Sequence, residues 1–228
     1  EALVQLIKEE TGDGKEKIIV KPSEVRSSTG VQLERWKTAA EVEFTNNFKN
    51  MSSYHKSTPD EISKYGRPLP MLCVWSETAG VKKCRACICG NFAEVDPLEQ
   101  SWTAQAEPSS LIAALKLTCV KEWTASKHDV KGAFLNAKLP EGTLVVARPP
   151  DQWVRWGLVK AGELWTLDRA VYGLRESPFL WAQERDKRLT ELRWSVGSTV
   201  YRLSRCPSDS QVWRIVADQG AKSSQISG

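Results

Sequence analysis

The chemistry this sequence offers rests on one aspartate, a pair of cations and two short turns that each carry an aromatic residue. Asp129 stands where a strand should end, beside Val130 and ahead of Lys131-Gly132. A carboxylate there is a hard oxygen ligand and the Val130 carbonyl can add another, which suits the divalent cations of phosphoryl transfer. Lys83 and Arg85 are two positions apart, so on a strand they point the same way. Two cations on one face can grip a triphosphate, the arginine through a bidentate fork. Gly173, after Tyr172, allows a close backbone approach just before Ser177-Pro178 starts a helix. Each feature has a plainer explanation: Asp129 as a turn cap, Phe134 as a core aromatic, Lys83 and Arg85 as guards of a hairpin edge, Tyr172-Gly173 as a turn feeding a helix.

The elements that must hold these residues follow from periodicity. Leu33, Trp36, Ala40 and Glu43 or Phe44 recur at helical intervals with no Gly or Pro between them, which predicts a helix over 34–44. Leu72–Trp75 and Arg85–Cys89 are strand-like runs around Gly80 and predict a hairpin. Ser110–Leu117 is rich in helix formers behind a serine cap and leads into the Asp129 segment, which is expected to be a strand. Leu144–Ala147 and Leu164–Leu167 are short strand candidates. The helix opened by Ser177-Pro178 places Phe179, Ala182, Leu189 and Leu192 on one face. Residues 1–30 mix Gly12, Gly14, Pro22 and Ser27-Ser28-Thr29 with charges and read as a flexible tether around the apolar Ile18-Ile19-Val20.

With 228 residues and 41% apolar content, the chain can build a core. A net charge of +4 is a mild basic excess that suits a polyanion without identifying one. No apolar run approaches the roughly 20 residues that span a bilayer, and the N-terminus lacks the pattern of a signal peptide. The absence of an initiator Met and the polar final residues suggest a piece of a longer polypeptide. Six cysteines at mostly apolar positions suggest a reducing compartment. Cys84-x-x-Cys87-x-Cys89 has the look of a zinc site, yet no fourth ligand stands at finger spacing, and the small and apolar residues of that run favour a strand.

The segment Asp129-Val130-Lys131-Gly132-Ala133-Phe134-Leu135-Asn136 resembles the first active-site motif of copia-type retrotransposon reverse transcriptases. Tyr172-Gly173-Leu174-Arg175-Glu176-Ser177-Pro178, with Trp181 after it, resembles the second. Lys83-Cys84-Arg85 with Gly90 downstream is similar to the fingers strand, and Arg148-Pro149-Pro150 to the family's Pro-Pro turn. The resemblance implies an α+β, right-hand polymerase fragment in which an antiparallel sheet packs against helices: fingers over 31–128 and an incomplete palm over 129–228, with a fingers insertion near 140–167. It further implies Asp129 as catalytic acid and metal ligand, with the Val130 carbonyl beside it. Phe134 would be the gate against a 2′-hydroxyl, Lys83 and Arg85 the triphosphate contacts, and Tyr172 with Gly173 the nucleotide platform.

In the family a second acidic cluster follows on a hairpin: apolar residues, an aromatic, one variable residue and Asp-Asp. No Asp-Asp dipeptide occurs in this sequence. The expectation is therefore a chain inactive by itself, with the missing hairpin encoded beyond Gly228. The parent would use Mg²⁺, or Mn²⁺, to extend a template-primer of RNA or DNA with deoxynucleoside triphosphates. It would belong to a polyprotein with an integrase upstream, and it would reside inside the cell, in the cytoplasm or virus-like particles. Two rivals remain: a non-catalytic nucleic-acid-binding remnant, in which basic residues grip phosphates and the ten Trp stack on bases, and a structural fragment that binds nothing specific.

Overall fold

The computed structural model describes residues 9–10, 16–93 and 103–218. They fall into two compact units that interleave along the chain, the first from residues 1–101 and 132–181 and the second from 102–131 and 182–228. This division differs from sequence boundaries at 31, 128 and 129. The chain leaves the first unit, returns to it at Gly132 and leaves again after Trp181. The described residues are mixed helix and sheet, as the α+β expectation has it.

The first unit is built on a seven-stranded sheet in which β1 (Glu9–Glu10), β2 (Glu16–Val20), β4 (Leu69–Thr78), β6 (Val146–Arg148), β7 (Trp165–Leu167) and β3 (Tyr54–Lys56) follow in order. β5 (Val81–Ile88) also pairs with β4. β4 and β5 form the expected antiparallel hairpin, in register from Met71↔Ile88 to Thr78↔Val81. Burial along β5 alternates, with Cys84, Ala86 and Ile88 inward and Lys83 and Arg85 outward. Three positions along a strand put Cys84 and Cys87 on opposite faces, and that separation, rather than any missing thiol, argues against a shared ion.

Helix α1 (Pro22–Ser27) precedes α2 (Gly30–Glu43), which continues into a wider π-helical turn at Phe44–Lys49. A strand and a helix thus occupy residues 16–27, where the sequence suggested a tether. β2 pairs with the last four residues of β4, Trp75–Thr78, and Val25 is fully buried, so the apolar residues among the charges are what decide the segment. α2 buries Trp36, Ala40 and Glu43 on the expected face. Trp36 meets Trp75 edge to face at 5.6 Å, while Phe44, Phe48, Trp153 and Trp165 pack as an aromatic cluster to which Tyr54 adds a ring stacked 3.9 Å from that of Trp165. Helices α3 (Pro59–Tyr65) and α5 (Asp151–Arg155) complete the unit, with single 3₁₀ turns at Gly90–Phe92 and Phe134–Asn136.

The second unit holds α4 (Pro108–Val120) and a three-stranded antiparallel sheet of β8 (Arg193–Val196), β9 (Thr199–Cys206) and β10 (Asp209–Ala217). Asp209 accepts hydrogen bonds from the Glu107 and Gln211 backbone N–H groups and so ties the start of α4 to the β9–β10 turn. A hydrogen bond from Ser110, with those two, lowers its pKa. α6 (Ser177–Glu191) begins in the first unit and ends in the second. Its most buried apolar residue is Leu180, and Leu192 lies past its end and is exposed, so the face drawn from Phe179 to Leu192 is shorter than the sequence suggested.

One buried charge tests this packing. The Glu43 carboxylate at the end of α2 accepts hydrogen bonds from the Ala86 backbone N–H and from Asn47 Nδ2. Burial raises its pKa against those bonds and the nearby Arg85. Removing the carboxylate leaves the Ala86 N–H buried without its acceptor. Glu43→Ala should therefore cost about 1–3 kcal/mol in urea unfolding, and Glu43→Gln less, because an amide oxygen still accepts. Because the folded pKa is raised, this ionisation costs stability as pH climbs through and above the ordinary carboxylate range. The wild-type advantage over Glu43→Ala should accordingly be larger at pH 4 than at pH 7.

Candidate functional site

The end of β5 is where two distant parts of the sequence meet. The Ile88 backbone N–H donates to the Tyr172 carbonyl at 2.8 Å, which docks the Tyr172-Gly173 turn on the last residue of the strand. Gly173 has φ +99°, and a Cβ there would fall on the Ile88 carbonyl oxygen. A Cβ on Gly90 would likewise fall on the Gly173 carbonyl oxygen. Only hydrogen at both positions permits this approach of backbone to backbone. Ser177 locks the turn from its other side by donating its hydroxyl to the Val171 carbonyl.

The docking brings three side chains into a row. The Arg85 guanidinium lies over the Tyr172 ring, 4.4 Å from its centroid, and Tyr172 meets Phe134 at 5.1 Å between centroids. Phe134 and Phe179 pack against a small core of Ala137, Ala170 and Leu180. An exposed cation–π contact is worth about 0.5–1 kcal/mol, so it orients Arg85 without consuming its N–H donors. Lys83 is exposed on the same face of β5, and neither Lys83 nor Arg85 forms an ion pair among the described residues. Four predicted site residues, Arg85, Phe134, Tyr172 and Gly173, thus come together on the first unit, with Lys83 two positions along the strand.

Asp129 and Val130 belong to the second unit and do not form the expected strand. Residues 121–130 are exposed throughout, and 123–130 pair with no other strand. A strand needs a neighbour for its backbone groups, and without one the segment leaves them to water. Val130 is 51% exposed, which does not suit an enclosed ligand.

Asp218 is the acid that reading the sequence missed. It directly follows β10, and its carboxylate pairs with Arg193 at 2.8 Å and with Arg202 at 3.6 Å. The signal for it in the sequence is an acid directly after an apolar run, ahead of Gln219. Among the described residues no three His, Cys, Asp or Glu side chains are grouped to hold a metal ion. With Asp218 neutralised by two arginines and Asp129 exposed, the residues present do not fit a two-metal centre.

A cleft of about 1210 Å³ opens beside the turn in the first unit. Lys64, Arg67 and Arg175 contribute cations to its walls, and Gly90, Phe92 and Phe179 line it as well. Of the ten tryptophans, Trp36, Trp75, Trp153 and Trp165 are buried in the core and so are not available for stacking on bases, whereas Trp123 is exposed.

Residues 82–205 match the family described as reverse transcriptase (RNA-dependent DNA polymerase). No curated protein and no solved structure matches the chain.

The close approach at Gly173 gives the sharpest test of this geometry. Gly173→Ala should separate the turn from Ile88 and cost about 1–3 kcal/mol or more in chemical denaturation. The contact between the Phe134 and Tyr172 rings, read by nuclear Overhauser effects, should be lost with it.

Proposed function

The chain belongs to the reverse transcriptase (RNA-dependent DNA polymerase) family, and from that premise we propose that it is the nucleotide-contacting part of a copia-type retrotransposon enzyme, without polymerase activity of its own. The observation that carries this reading is the row of Arg85, Tyr172 and Phe134 built on the Gly173 turn. It combines an oriented, unpaired guanidinium with aromatic faces beside a backbone exposed by glycine, which suits the triphosphate, sugar and base of a nucleotide. Lys83 adds a second cation on the same face. Phe134 is the residue against which a sugar 2′-hydroxyl would clash.

In this reading β10 leads up to the family's acid pair, with Asp218 in the first place and Gln219 in the second. A complete parent would use Mg²⁺ or Mn²⁺ to activate the attacking 3′-hydroxyl and hold the triphosphate. This chain keeps Asp129 and Asp218 but lacks the second acid of the pair, and the arginines on Asp218 compete for its charge. Its partners would be a deoxynucleoside triphosphate and an RNA or DNA template-primer, within a polyprotein that includes an integrase.

A non-catalytic nucleic-acid binder is the second reading, and the cationic walls of the cleft favour it. The two separate cleanly. Under the first, Arg85→Ala and Lys83→Ala each weaken binding of a deoxynucleoside triphosphate measured in EDTA by roughly 5–20-fold, the size of about 1–2 kcal/mol. Under the second, those variants leave triphosphate binding negligible throughout, and Arg67→Ala instead weakens single-stranded oligonucleotide binding. Both expect no primer extension with Mg²⁺ or Mn²⁺. Extension abolished by Asp129→Ala would overturn the inactive reading altogether.

A further inference from the structure

His55 on β3 stands between two carboxylates. Its Nδ1 is 2.9 Å from Asp168 Oδ1, and its Nε2 is 2.9 Å from Glu61 Oε1. A neutral imidazole carries one N–H and one lone pair, so it can serve only one of these acceptors. The other nitrogen would face a carboxylate lone pair to lone pair. Only the imidazolium donates to both, and the geometry around the ring is therefore the geometry of a bound proton.

The two carboxylates come from different elements. Asp168 is the residue directly after β7, which pairs with β3. Glu61 lies in the first turn of α3, where it also closes a capping box: its Oε2 accepts from the Thr58 N–H and hydroxyl, and its own N–H donates to Thr58 Oγ1. α3 has seven residues, none of them buried. A helix that short is not stable on propensity alone: Tyr65 packs its last turn against the core, and the capping box with the bond to His55 fastens its first turn. The last turn of α3 and the two residues after it, Lys64 to Arg67, form one wall of the cationic cleft.

We propose that His55 is a proton-operated latch that fastens α3 to the β3–β7 edge of the sheet and thereby sets the position of the Lys64–Arg67 wall of the cleft. The charged groups acting on the ring are Glu61 from α3 and Asp168 from the end of β7, and Lys56, the next residue on β3, pairs with Glu163. Hydrogen bonds to Glu61, then to Asp168, raise the His55 pKa above its ordinary value. Glu61 is lowered to about 2 by the Thr58 backbone N–H and then by His55, so it stays ionised across the range in which the histidine titrates. A histidine raised in the folded state holds fully below the ordinary value of about 6.5 and lets go as pH rises through the raised one. The latch is closed in mild acid and opens as pH rises through that raised value. This device is independent of which ligand the cleft takes.

Nuclear magnetic resonance on the full chain tests it. The His55 ring should titrate with a midpoint above about 6.5. The backbone amides of Ile62 and Gly66, which bond to Thr58 and Ile62 within α3, should shift with the same midpoint. His55→Gln should abolish that pH response while the amides of the β4–β5 hairpin stay unchanged. Asp168→Asn should lower the His55 midpoint by removing one acceptor charge, and it carries the test if His55→Gln does not fold. A His55 midpoint at or below the ordinary value, or α3 amides that titrate identically in His55→Gln, would overturn the latch.

Discussion

Everything arranged at the end of β5 depends on one backbone contact, the seating of the Tyr172-Gly173 turn on Ile88. The hydrogen bond from Ile88 to the Tyr172 carbonyl fixes the distance, and the absence of a Cβ at Gly173 and Gly90 lets the chains reach it. With that contact made, Tyr172 lies between Arg85 and Phe134. The cation, the two rings and the exposed backbone are then a consequence of where the turn lies, not of any direct attraction among distant residues. Packing of this kind is unforgiving because a close-packed neighbour cannot yield to an added methyl without moving the strand itself.

The same geometry explains why Arg85, Tyr172 and Phe134 gather on the first unit while nothing comparable gathers acids among the described residues. Arg85 is aimed by Tyr172, and Lys83 is aimed by the alternation of β5, whose inner face is committed to Cys84, Ala86 and Ile88. Asp129 has no such constraint, because its segment pairs with no strand and is exposed along its length. Asp218 is constrained, but by arginines. A carboxylate held by two guanidinium groups has its charge already balanced, and hard cations compete poorly for it.

Much of this was legible in the sequence where local rules act alone. The α2 helix, the β4–β5 hairpin, α4 and the strands β6 and β7 all follow from periodicity and turn chemistry, and Lys83 and Arg85 share the predicted face because a strand alternates. Reading failed where a partner decides the outcome. The Asp129 segment has strand-like composition but finds no neighbour, whereas Ile18-Ile19-Val20 sits among tether-like residues yet finds the end of β4. α4 forms, but it starts at Pro108 with Glu107 at its cap rather than behind the expected serine cap, and Leu111, Ile112, Leu115 and Val120 stay exposed, which propensity cannot foresee. Asp218 was overlooked because a lone acid at a strand end carries no signal until the Arg193 and Arg202 that pair with it are placed. The docking of Gly173 on Ile88 joins residues 85 positions apart, and only the family resemblance hinted that they belong together.

The proposed nucleotide contacts at Arg85, Tyr172 and Gly173 do not depend on a metal ion held by Asp129 and Asp218. Paramagnetic Mn²⁺ reads this directly, since it broadens the amide resonances of residues near a bound ion. The account predicts no localised broadening at Asp129, Val130 or Asp218 as Mn²⁺ is added, while a deoxynucleoside triphosphate in EDTA shifts the resonances of Lys83, Arg85, Tyr172 and Gly173. Broadening that converges on Asp129 and Asp218 together, with nucleotide shifts that appear only when Mn²⁺ is present, would contradict it.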